Sequence, residues 1–157
     1  MTRKFVRVIP ELHRRYIKGT AKDAVVQNAR VFLCHLTGAV SIGALGLMQT
    51  ERAPRRKVYI STRVLKHTYD KRPAEEYDFL TENLHAIVKY PDCVYKNKDS
   101  KRGGYCFVKT LGNKLYLCSL ESVEDRFEVV TFFRVPKEKY LESYELLWSW
   151  RNGTSSS

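Results

Sequence analysis

The most restrictive feature of this chain is a change of hydrophobic period after Pro91. Before it, apolar residues recur at helical spacing; after it, they alternate. YCFVKTL (105–111) and KLYLCSL (114–120) flank Gly112-Asn113, a two-residue hairpin signal. CVYKN (93–97) reads as a short strand and FEVVTFFRV (127–135) as a third β-rich run of the same meander. Upstream, Val58–Ile60 is a strand candidate, and Ser61 can cap a helix running through STRVLKHTYDKR to Pro73. Pro73 suits the first turn of a second helix, whose apolar positions are Tyr77, Phe79, Leu80, Leu84, Ile87 and Val88 and which ends before Pro91. Pro136 opens a third helical pattern, with Tyr140, Tyr144, Leu147 and Trp148 at helical spacing. Helices followed by an antiparallel meander predict an α+β fold, with the helices covering one face of the sheet.

Three segments follow from this reading. Residues 1–57 form a basic helical extension, 58–151 a compact unit, and 152–157 a frayed tail. In the extension, Thr20 and Asp23 resemble an N-cap with an acidic third residue. Ala21, Ala24, Val25, Phe32, Leu33 and Leu36 then recur at helical spacing, with Gly38 at the helix end. ERAPRRK (51–57) reads as a linker. Residues 31–50 carry no charge, but the run contains His35, Thr37 and Ser41 and has basic residues on both sides. A buried segment is therefore preferred to a membrane span. Cys34, Cys93, Cys106 and Cys118 form no CxxC pair, so neither zinc nor thioredoxin spacing is present. A reducing cytoplasm is the expected compartment.

The net charge is +11, from 28 Lys and Arg against 17 Asp and Glu. That charge is segregated. Residues 1–30 and 51–72 each carry eight basic and two acidic side chains, and 95–114 carry six basic and one acidic. Segregation on a folded domain points to a polyanion, and RNA is the expected partner. With an aromatic fraction of 12%, a disordered basic tail is excluded.

The chemistry-bearing residues concentrate in two of these blocks. On the 61–72 helix, Arg63, His67 and Lys71 fall at i, i+4 and i+8 and line one stripe, with Lys66 and Arg72 nearby. A neutral imidazole can take a proton from a ribose 2′-hydroxyl, and neighbouring cations can stabilise charge on the phosphate. A solvated basic helix face gives the same pattern without chemistry. In KNKDSKRGGY (96–105), Lys96, Lys98, Lys101 and Arg102 lead into Gly103-Gly104 and Tyr105, a loop suited to phosphate, with Tyr105 able to stack on a base. Equally, this is a plain basic connection between strands. Thr131 is a hydroxyl inside an apolar strand, aimed at a phosphate or bonded to backbone. His85 reads as structural or surface, and His13 and His35 lie outside the compact unit. Trp148 and Trp150 read as packing. There is no P-loop, GxSxG, HExxH or EF-hand pattern, and no carboxylate cluster for Mg²⁺, so no metal and no cofactor is expected.

The order of LKH (65–67), YPDCVYKN (90–97), YCFVK (105–109) and VVTFF (129–133) resembles the phage-associated branch of the barnase–EndoU–colicin–RelE nuclease superfamily. The resemblance spans about residues 58 to 151. It implies helices on a four-stranded antiparallel sheet and a metal-independent endoribonuclease of toxin type, cleaving through a 2′,3′-cyclic phosphate. An antitoxin or immunity protein would then be a second partner. Residue by residue, it implies that His67 is the base, with Arg63, Thr131 and Lys109 around the phosphate and Tyr105 opening the basic strand. Lys66, Lys71, Arg72, Lys101 and Arg102 would hold the RNA backbone. No second His lies in the sheet, so Tyr105, Lys109 or Arg102 would have to act as the acid. The rival expectations are a non-catalytic RNA-binding module or phage accessory protein using the same face, and an inhibitory binder of a host protein or membrane surface.

Overall fold

The computed structural model describes residues 3–45, 57–98, 104–124, 126–151 and 153–154. The fold is α+β, with four α-helices and a mixed sheet among the described residues. The helices are α1 (Arg3–Leu12), α2 (Gly38–Gly43), α3 (Thr62–Lys71) and α4 (Ala74–Lys89). The strands are β1 (Arg30–His35), β2 (Lys57–Ser61), β3 (Cys93–Lys96), β4 (Tyr105–Leu111), β5 (Lys114–Val123), β6 (Arg126–Arg134), β7 (Leu146–Ser149) and β8 (Gly153–Thr154). Their order across the sheet is β1-β2-β6-β5-β4-β3-β7-β8. Among the described residues, only the β2–β6 pairing is parallel.

The expected meander is present. Leu111 pairs with Lys114 across a turn in which Gly112 takes φ +67°, a left-handed conformation suited to glycine. The Ser61 hydroxyl accepts from the Val64 amide and caps α3. Pro73 stands at the N-cap of α4, Glu75 and Glu76 fill its first turn, and the helix stops at Tyr90, ahead of Pro91. α4 buries Tyr77, Leu80, Leu84, Ile87 and Val88 against the sheet.

Two expectations are corrected. Residues 20–36 do not form a helix: the chain has no regular secondary structure from Ala24 to Ala29 and becomes β1 at Arg30–His35, paired antiparallel with β2. Asp23 takes φ +65° instead of capping a helix, and its amide donates to the Asp70 carboxylate at 3.0 Å. The buried Thr62 hydroxyl holds the incoming chain, donating to the Gln27 carbonyl at 2.6 Å and accepting from the Ala29 amide at 2.8 Å. Tertiary pairing of a β-branched, aromatic segment has overridden its helical spacing. Nor is the C-terminal segment a helix. A short 3₁₀ turn (Glu138–Leu141) leads into β7, which pairs with β3 and sets Trp148 opposite Val94. Trp148 is core, whereas Trp150 is largely exposed.

The main core lies between the sheet and the helices. Ile9, Leu12, Ile17, Leu33 and Val40, from within 1–57, join the same apolar cluster as Leu65, Leu84, Phe107, Leu120 and Phe132. The described part of the extension is thus joined to the sheet through β1 and to the core through α1. The 51–56 portion of the expected linker lies outside the described residues. Among the described residues, no helix is long and apolar enough to cross a membrane.

Candidate nucleic-acid interface

Strand alternation divides the sheet into a covered face and an open one. On β5, Tyr116, Cys118 and Leu120 face the helices, so Leu115, Leu117 and Ser119 face the other way. A β-bulge between Ser119 and Leu120 sets Thr131 directly opposite Ser119 while Val129 pairs with Leu120. Phe133 follows on the open face, opposite Leu117. A second, smaller core forms there around Cys106, Val108, Leu117, Val135 and Leu141. It is supplied from above by the 3₁₀ turn and covers part of the open face.

Beside this small core lies a cavity of about 200 Å³ lined by Asn97, Ser119, Thr131, Phe133, Tyr140 and Tyr144, among others. Tyr140 and Tyr144 stack at 5.8 Å with their planes 24° apart, and Phe133 meets Tyr140 edge-on at 5.9 Å. Two cations sit on these rings. The Arg72 guanidinium is 5.2 Å from the centre of Phe133, and the Lys98 ammonium is 5.0 Å from that of Tyr144. Arg72 also lies 3.8 Å from Glu76, and Lys98 bonds to Ser143. Among the described residues, Ser119 Oγ is buried with no hydrogen-bond partner. Burial pushes the Cys106 thiol up to about 12, so it stays protonated as part of the wall.

A wider cavity opens where β2 hands over to α3. Arg30, Ser61, Arg63, Val64, Glu121 and Glu128 are among its lining residues, with the bulged Val130. Here the Arg30 guanidinium lies over Tyr59 at 5.4 Å and pairs with Glu128 at 3.3 Å, while Arg126 approaches the same carboxylate at 2.8 Å.

The sequence-predicted residues separate on this framework. Thr131 lines the smaller open-face cavity, Arg72 reaches that cavity's Phe133, and Arg63 lines the wider one. His67 and Lys71 are exposed on the outer side of α3, on the stripe that begins at Arg63. Three residues require correction. Tyr105 pairs with Leu120 and packs against the main core, with its ring 6.4 Å from Phe127, on the face opposite Thr131. Lys109 is on that same covered face, opposite Tyr116; it donates to the Tyr90 carbonyl at 2.7 Å and lies 3.7 Å from Asp92. The sheet therefore separates both residues from Thr131, and neither joins it around one phosphate. Lys66 is buried, donating to Asp70 at 2.6 Å and to the Ala21 carbonyl at 2.7 Å, so its charge serves the fold instead of an RNA backbone. Lys101 and Arg102 lie outside the described residues.

Lys98 belongs to the basic 96–105 segment read from the sequence as a phosphate loop, whereas Asn97, Ser119, Phe133, Tyr140 and Tyr144 carry no site role in the sequence reading. Ser119 was accessible to it: in KLYLCSL it shares parity with Leu115 and Leu117, opposite to Cys118. Among the described residues, no three His, Cys, Asp or Glu side chains gather as a metal-ligand set. No family model, curated protein or solved structure matches the chain.

Proposed function

We propose that the protein binds single-stranded RNA across the open face of its sheet. The observation that carries this reading is the pairing of two cations with two rings, Arg72 on Phe133 and Lys98 on Tyr144, beside a cavity that holds two hydroxyls. Aromatic faces stack bases, and the cations beside them meet the phosphates. The +11 charge supplies the long-range attraction. Fluorescence anisotropy with a short single-stranded RNA, repeated across a salt series, tests the reading. Binding that weakens steeply with salt supports it; no binding at low salt refutes it.

Thr131 favours a second reading, in which the same face cleaves RNA as the nuclease resemblance implies. It occupies the cavity that the resemblance would make the phosphate site. Thr131 would then hold the phosphate with Arg72 beside it, His67 would have to reach the 2′-hydroxyl from the outer stripe of α3 that begins at Arg63, and neither Tyr105 nor Lys109 would be the acid. Incubation with RNA in EDTA separates the readings. Cyclic-phosphate ends that disappear in His67→Ala support cleavage, and intact RNA leaves binding alone. Toxin action, a phage setting and an antitoxin partner rest on the resemblance and fall with it if the RNA stays intact; a cytoplasmic location rests instead on the four free cysteines.

A further inference from the structure

We propose that the 200 Å³ cavity is a nucleobase pocket that takes one base of a single-stranded RNA, its edge read by Ser119, Thr131 and Asn97. The proposal rests on the RNA-binding reading above and adds what the cavity recognises.

Ser119 stands in the wall of this cavity. It is 1% exposed and its hydroxyl has no partner. Buried hydroxyls are nearly always hydrogen-bonded, so an unpaired one in a cavity wall calls for a ligand atom. Thr131 stands opposite it on the neighbouring strand and adds a second hydroxyl. Asn97, at the end of β3, adds a carboxamide with both donor and acceptor capacity. Such a mixed set matches the edge of a heterocycle that itself both donates and accepts.

Charge is also separated from the cavity. Among the described residues, the lining holds no carboxylate, Lys, Arg or His. The cations instead lie against the rings, Arg72 on Phe133 and Lys98 on Tyr144. An anion inside the cavity would find no counter-charge among these lining side chains, and an aliphatic group would leave the Ser119 hydroxyl unpaired. A neutral planar ring with a polar edge satisfies both conditions, with Phe133, Tyr140 and Tyr144 as stacking surfaces. Its phosphates would then lie near Arg72 and Lys98.

The test compares a short single-stranded RNA with the same strand carrying abasic riboses at every position, each titrated into the full chain. Wild type should bind the base-bearing strand at least roughly fivefold more tightly, the low end of base–aromatic stacking. Ser119→Ala should lose part of that preference, keep its affinity for the abasic strand, and keep its melting temperature, since its hydroxyl bonds to nothing in the free protein. Thr131→Val should act in the same direction. Equal wild-type affinity for the two strands, or Ser119→Ala and Thr131→Val both indistinguishable from wild type, would overturn the proposal. Saturation-transfer NMR with nucleoside monophosphates separates this from failure of the parent reading. Transfer to base protons without binding of either strand would keep the pocket and refute the RNA interface; no transfer and no binding would refute both.

Discussion

The Arg72 guanidinium rests 5.2 Å above the ring of Phe133, joining the C-terminal end of α3 to the open face of β6. The contact places a cation from the α3 block beside a ring that lines the smaller cavity. Arg72→Ala should lower RNA affinity and reduce the salt slope by about 1. Folding stability should change by no more than about 0.5 kcal/mol, the usual range for surface substitutions. Anisotropy titrations over a salt series, with a urea melt as control, check both outcomes.

Lys66 should behave in the opposite way. Its ammonium is bonded to Asp70 and to the Ala21 carbonyl, and both side chains of the ion pair are buried. Burial pushes the Asp70 carboxyl up, but the Lys66 ammonium and the Asp23 amide together hold it below its usual value. Lys66→Met removes the cation and leaves the carboxylate buried. The expected loss is about 3 kcal/mol in urea unfolding, with unchanged RNA affinity per folded molecule.

Lys109 and Tyr105 give a negative control. Both belong to the covered face, and Lys109 is tied to Tyr90 and Asp92 at the end of α4. Lys109→Met should leave the affinity for single-stranded RNA within about twofold, whereas loss of a phosphate contact would also lower the salt slope. The same titration series measures both.

His13 introduces a pH dependence of stability. Its Nδ1 lies 3.0 Å from the Tyr77 hydroxyl, and its ring meets Tyr69 edge-on. Burial holds its pKa below 6.5; Asp78 raises it and Lys18 lowers it further. Between the folded and unfolded values, the unfolded chain binds more protons, so stability falls as pH drops below about 6.5. Burial lowers His85 similarly, and it adds to the trend. Thermal melts from pH 7.5 down to 5, chosen to span the His range of about 6.5, should show a shallower slope for His13→Gln than for wild type.

The meander, the caps of α3 and α4 and the division of the sheet into two faces were legible because each depends on neighbours in sequence. Gly112 fixes the hairpin register, and the alternation in KLYLCSL then settles which side chains share a face. β1 and β7 were not legible, since both are defined by partners far along the chain. Arg30 pairs with Ser61 and Trp148 with Val94, and local spacing in both segments imitates a helix. The site was half legible for the same reason. Thr131 lies on the open face and Arg72 reaches its Phe133, but the bulge opposite Ser119 and the chain crossing that brings Tyr140 and Tyr144 over it have no local signature. Lys109 was misplaced because a basic strand residue reads alike on either face until its partner, Tyr116, is known.

The open face is tested most directly by mapping backbone amide shifts while single-stranded RNA is titrated into the labelled protein at low salt. The account predicts the largest changes at Asn97, Ser119, Thr131, Phe133 and Tyr144, with α4 unaffected. Changes confined to α4 and the covered-face residues Tyr105 and Lys109 would contradict it.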